Sequence, residues 1–165
     1  MFNVGDRVVY PLHGAGLIEA IDEKEILGEW QKYYVLRLLI GDMKVMVPVK
    51  SADQVRLRGV IKPNEVTKVL EILESDYNEA EEKEIDWKVR YNNNLEKIKS
   101  GSIYRVAEVA KSLSYRNQEK GLSAGERKLL DSACQLIISE LSCVQELPPE
   151  KINATIVKIL EASKE

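Results

Sequence analysis

The strongest constraint on the fold is a single change of hydrophobic period near residue 60. Before it, apolar residues come in short runs rich in β-branched side chains: RVVYP, GAGLIEAI, YYVLRLLI, MKVMVPV and QVRLR. Such runs suit pleated strands. Turn formers separate them: Pro11 with Gly14 and Gly16, then Gly28, Gly41-Asp42, and Ser51 to Asp53. Five such segments in about sixty residues imply a small, curled antiparallel sheet or barrel. After the change, from Pro63 onward, Val66, Val69, Leu70 and Leu73 recur at helical spacing.

That helical spacing continues to the end of the chain. A second helix is expected after Asp86, an N-cap type, with Trp87, Tyr91, Leu95 and Ile98 on one face and Ser100-Gly101 as its stop. A third runs from about Ser102 to Glu119 with Val106, Ala110 and Leu113 inward, and Gly121 follows. SAGE at 123 to 126 reads as a capping box, in which the serine oxygen and the glutamate carboxylate answer each other's orphan amides. It opens a fourth helix through Leu141, and PPEK at 148 to 151 starts a fifth. The expected fold class is α+β: a small N-terminal antiparallel β-domain over 1–60, then a C-terminal all-helical bundle of about five helices over 61–165. The boundary falls near 59 to 64, and so short a linker predicts limited freedom between the domains. A chain of 165 residues has room for two small domains of this kind.

Charge sorts by segment. Residues 1–62 carry 9 basic and 8 acidic side chains, net +1, and residues 63–86 carry 2 and 9, net -7. Residues 87–128 then carry 10 and 4, net +6, inside a protein whose formal charge is -3. A basic block of that kind attracts phosphate, or else it lines solvated helix faces. It begins at Trp87, in IDWKVRYNNNLEKIKSG, directly after the acidic run EAEEKE at 79–84. An acidic, solvated run leading into a large apolar ring leaves two readings: a core ring on the stripe with Tyr91, Leu95 and Ile98, or a ring held out to a partner. Trp30, after Gly28-Glu29, is either sheet packing or a surface aromatic.

Catalytic machinery is thin. His13 is the one histidine, so no His-based metal cluster is available, and PLHGAG places it in a turn between strands. The glycines of HGAG precede no helix, so they supply turn freedom rather than a phosphate cradle. Cys134 and Cys143 read as reduced thiols packed on a helix. MFNVGDRVVY lacks the long apolar core of a signal peptide, and no run reaches membrane-spanning length. The expectation is an intracellular protein that is not an enzyme, with no cofactor, metal or small-molecule substrate and no membrane contact.

VGDRVVYPLHGAGLIEAI at 4–21, WKVRYNNNLEKIKSG at 87–101 and GLSAGERKLL at 121–130 together resemble the CarD/CdnL family of bacterial transcription regulators. The likeness covers nearly the whole chain in order. Its opening segment is shared with transcription-repair coupling factors, whereas the helical half with its tryptophan is not. The resemblance implies a Tudor-like β-domain that docks on the β subunit of RNA polymerase, and a helical domain that meets promoter DNA at the upstream edge of the melted bubble. It further implies that Trp87 wedges into the minor groove there and stabilises the open promoter complex. DNA-binding positions carried over are Trp87, Lys88, Arg90, Asn92 and Arg127, with the amides opening the 123–126 helix available to a phosphate. Val89 and Asn92 stand where relatives often carry cations, and Lys88 is placed to compensate from an adjacent face. Polymerase-binding positions are Lys24, Glu25, Ile26 and Met46. Met46 replaces a frequent arginine, which implies a more apolar dock. The place implied is the cytoplasm, at the nucleoid through the polymerase. The alternative is a polymerase-binding scaffold whose helical domain recruits another protein.

Overall fold

The computed structural model describes residues 1–75 and 85–162; EAEEKE at 79–84 lies outside the described residues. The α+β class read from the sequence is the one found. An antiparallel sheet of five strands is followed, among the described residues, by five α-helices. The strands are β1 (Arg7–Tyr10), β2 (Gly14–Ile26), β3 (Glu29–Leu38), β4 (Lys44–Pro48) and β5 (Arg58–Gly59), in the order β4-β3-β2-β1-β5. The helices are α1 (Val66–Glu74), α2 (Trp87–Lys99), α3 (Ile103–Glu119), α4 (Ala124–Gln145) and α5 (Pro149–Ala162).

Two features of the sheet depart from expectation. QVRLR, expected as a strand, is mostly turn: only Arg58–Gly59 pairs, against Val8 and Val9 of β1. Leu57 is buried in the sheet's core, so this apolar signal reports burial rather than extension. The central hairpin is also longer than its apolar runs. β2 and β3 pair from Gly16↔Leu38 out to Ile26↔Glu29, and the turn between them is Leu27-Gly28, both at positive φ. That geometry matches the right-handed twist of a two-stranded ribbon, and glycine adopts it freely. β1 covers β2 only over Gly14–Leu17, and β4 covers β3 only over Tyr33–Arg37. Residues 22–32 therefore project as a ribbon whose outer edges are unpaired by β1 or β4.

The two halves have separate cores. Val8, Ile18, Tyr34, Leu36, Leu38 and Val47 fill the curl of the sheet. Val69, Leu73, Ala107, Ala110, Ile137 and Leu141 are among those packing the helices. Polar bonds join the halves. Glu140 of α4, fully buried, accepts from Arg58 Nη1 and Nη2 at 2.7 Å each and from the Ile61 amide at 2.9 Å. Arg58 Nε donates to the Gly101 carbonyl at 2.7 Å, and Arg7 Nη1 to the Cys143 carbonyl at 2.9 Å. The Ala15 amide donates to Ser139 Oγ at 3.1 Å. A Cβ on Gly14 would come within 2.8 Å of that same Ser139 Oγ. The HGAG glycine thus serves the turn, at φ 98°, and also admits α4 to the sheet. His13 lies in that turn, its ring against Tyr10 and its Nδ1 3.1 Å from the Pro11 carbonyl oxygen.

Candidate nucleic-acid interface

The stripe Trp87, Tyr91, Leu95, Ile98 runs out of the core toward solvent. Ile98 is buried, Leu95 and Tyr91 pack against the helical core from its margin, and Trp87 is 45% exposed. The ring is therefore neither core nor wholly exposed: its stripe is core, and its end is not. Asp86 occupies the N-cap position with extended backbone and no side-chain bond to the helix, while its carbonyl accepts from the Arg90 amide at 2.9 Å. The indole stacks on Tyr91, with centroids 5.4 Å apart and planes 23° from parallel. Its Nε1 donates to Glu126 Oε1 at 3.0 Å.

Glu126 is the residue that sequence reasoning misplaced. Half of the capping box forms: Ser123 Oγ accepts from the Glu126 amide at 3.2 Å. The carboxylate turns instead toward α2. Besides the indole it takes Arg90 Nε on Oε2 at 3.1 Å, and Arg116 Nε stands 4.0 Å from the same oxygen. At 2% exposure a carboxylate needs such partners, because an unpaired charge out of water is very costly. The signal was visible only as an S-x-x-E pattern, which capping explains equally well.

Arg90 stands apart from the other expected DNA-binding residues in its burial. It is 6% exposed and committed to Glu126, so its guanidinium is not on the surface where a phosphate would lie. Its place three residues after Trp87 and four before buried Asn94 turns it to the core side of α2. Lys88, Asn92 and Arg127 are exposed, as are Val89 and Lys128. Glu126 beside Arg127 brings the start of α4 against the start of α2, so Trp87, Lys88 and Arg127 share one end of the helical half.

On the sheet, Lys24, Glu25 and Ile26 sit at the end of the ribbon, all exposed, opposite Gln31, Trp30 and Glu29. Residues directly opposite share a face, and faces alternate along a strand. Lys24 and Ile26 thus lie on one face together with Met46, which pairs with Val35 on edge strand β4. Glu25 and Trp30 lie on the other. Trp30 is 68% exposed, which makes it a surface aromatic. Among the described residues, no group of three or more His, Cys, Asp and Glu could hold a metal ion, and no helix is long and apolar enough to cross a membrane.

Comparison with known proteins agrees with this architecture. A family profile described as "CarD-like/TRCF RID domain" matches residues 2–61, and one described as "CarD, C-terminal domain" matches residues 68–157. A protein of Bacillus subtilis (strain 168), named "Putative transcription factor YdeB", is 40% identical over 154 residues, spanning 93% of this chain and 99% of that one. With a Tudor-like sheet matching the first profile and the helices matching the second, the chain belongs to the CarD family of transcription regulators.

Proposed function

We propose that this regulator bridges RNA polymerase and promoter DNA without catalysing a reaction. Residues 1–60 dock on the polymerase β subunit through Lys24, Glu25, Ile26 and Met46. Residues 61–165 present Trp87 to the minor groove at the upstream edge of the bubble, with Lys88, Asn92 and Arg127 toward the backbone. The exposure of Trp87 carries this reading: a large ring at a helix start, half in solvent, beside exposed cations. An apolar wedge partly unstacks a base step at a cost of a few kcal/mol, and an already open neighbouring pair offsets part of that cost. Such a ring slows reclosure of the bubble more than it tightens binding to closed duplex. The cations hold position on phosphates and read no sequence. Arg90, paired inside the protein, supports the ring instead of touching DNA.

The ribbon supports the docking half. Its unpaired edges suit strand addition to a partner's sheet, and Ile26, Leu27 and Trp30 supply exposed apolar contact. The test is the half-life of open promoter complexes formed with the cognate polymerase, with and without the protein. Wild type lengthens it, and Trp87→Ala binds polymerase yet loses most of the gain. A half-life that Trp87→Ala leaves as long as wild type does would remove the wedge and favour a helical half that recruits another protein.

A further inference from the structure

Trp87 is exposed, yet its ring has two partners within the protein. Its stack on Tyr91 and its bond to Glu126 constrain the ring from two directions, and both contacts converge on the first turn of α4. The Tyr91 ring lies over Gly125, where a Cβ would come within 3.3 Å of its edge. Glu126 follows, its amide capped by Ser123: Oε1 accepts from the indole N–H and, at 3.4 Å, from the Ser123 hydroxyl, while Oε2 takes Arg90. The carboxylate therefore stands on a rigid, capped element, with an arginine pinning the oxygen that the tryptophan does not use.

We propose that Glu126 is the positioning residue of Trp87: its buried carboxylate, pinned by Arg90, holds the indole on Tyr91 so that the ring is already oriented when DNA arrives. This rests on the wedge reading above. A large side chain that rotates freely loses that freedom on binding, and one ordered in advance does not. The division of oxygens makes the role specific to glutamate. Glutamine offers one acceptor oxygen and one N–H donor group, so it can accept from the indole or from Arg90 but not from both through carboxylate-like oxygens.

The experiment combines two readouts on the full chain. In protein labelled with ¹⁵N-tryptophan, the indole signal of Trp87 is identified by its loss in Trp87→Phe, and its exchange with solvent is measured. Open-complex half-life is then measured at saturating protein, with polymerase binding and thermal melting followed in the same samples. The expected result is slow exchange of the Trp87 indole proton in wild type and fast exchange in Glu126→Ala and Glu126→Gln. The gain in half-life falls by roughly three- to tenfold in folded Glu126 variants, about what ordering one large side chain in advance is worth. In a Trp87→Ala background, Glu126→Ala adds no further loss, which a merely structural role would not give. Glu126→Gln keeps the side chain's size and serves where Glu126→Ala fails to fold. Fast exchange in wild type overturns the assignment. So does a full gain in folded Glu126→Gln beside a lost gain in Trp87→Ala, and that outcome leaves the wedge standing. An unchanged half-life in Trp87→Ala sinks the wedge and this inference together.

Discussion

At the scale of single residues, Arg90 shows what pattern conceals. Sequence spacing places it on the flank of an apolar stripe, where an arginine is as much at home in solvent as against a partner. Only the crossing of α2 with α4 supplies Glu126, thirty-six positions away. Replacing Arg90 with alanine leaves the buried carboxylate with only the more distant Arg116, 4.0 Å away, and stability should fall by about 3–5 kcal/mol in a denaturant titration. A loss below about 1 kcal/mol, the size of an exposed pair, would contradict the burial seen here. The cysteines were more legible, since two thiols in a helical stretch form no disulfide framework and read as reduced and packed. Both are unpaired and partly buried on α4. Burial, with Asp131 nearby, pushes the Cys134 thiol up to about 11, and burial raises Cys143 as well. Cys134 should therefore resist alkylation near pH 8 in the native protein and react at once when unfolded, because only the thiolate attacks.

Elements were legible where one physical signal dominated. The helices declared themselves through apolar spacing and stop residues, and four strands through β-branched runs. The outer ribbon did not, because DEKEI and EWQK carry little apolar signal; their pairing comes from the hairpin register that the Leu27-Gly28 turn sets. Leu27 is instructive. It is 99% exposed and holds φ 54°, a conformation that costs an L-residue about 1–2 kcal/mol. Leu27→Asn should raise stability by roughly 0.5–1 kcal/mol, since Asn-Gly favours this turn. On the proposed docking mode the same change should weaken polymerase binding; unchanged binding would show that the ribbon tip is not part of the dock. Nearer the sheet, Glu19 lies at the β2 irregularity, paired with Arg37 of β3 and 3.6 Å from Lys44 of β4. Hydrogen bonding from Arg37 holds its carboxyl below the usual range. A carboxyl whose folded pKa is lowered contributes stability at neutral pH, present above its unfolded value and lost as pH falls through the folded one. The contribution is modest, because both groups meet solvent, and NMR titration of the Glu19 carboxyl should place its midpoint below that of an ordinary glutamate.

For the whole molecule, the period change near residue 60 announced two halves but said nothing of how they meet. The polar residues that join them, Arg7, Arg58 and Glu140, look like ordinary surface charges in the sequence. Their placement depends on where α4 lands against the sheet. Glu140→Ala removes the acceptor of three hydrogen bonds and unpairs Arg58, and it should cost about 3–5 kcal/mol by thermal or denaturant unfolding. A loss confined to about 1 kcal/mol would mean that the halves hold together without it. The weld also has a mechanical meaning. A body clamped at its waist is a lever, with the ribbon at one arm and the indole at the other. Arg7, Arg58 and Glu140 tie that waist against displacement. On the bridging function proposed, a load on one arm is passed through these bonds to the other. Such a lever lets go at its weaker grip rather than bending, so departure from the promoter becomes an abrupt detachment.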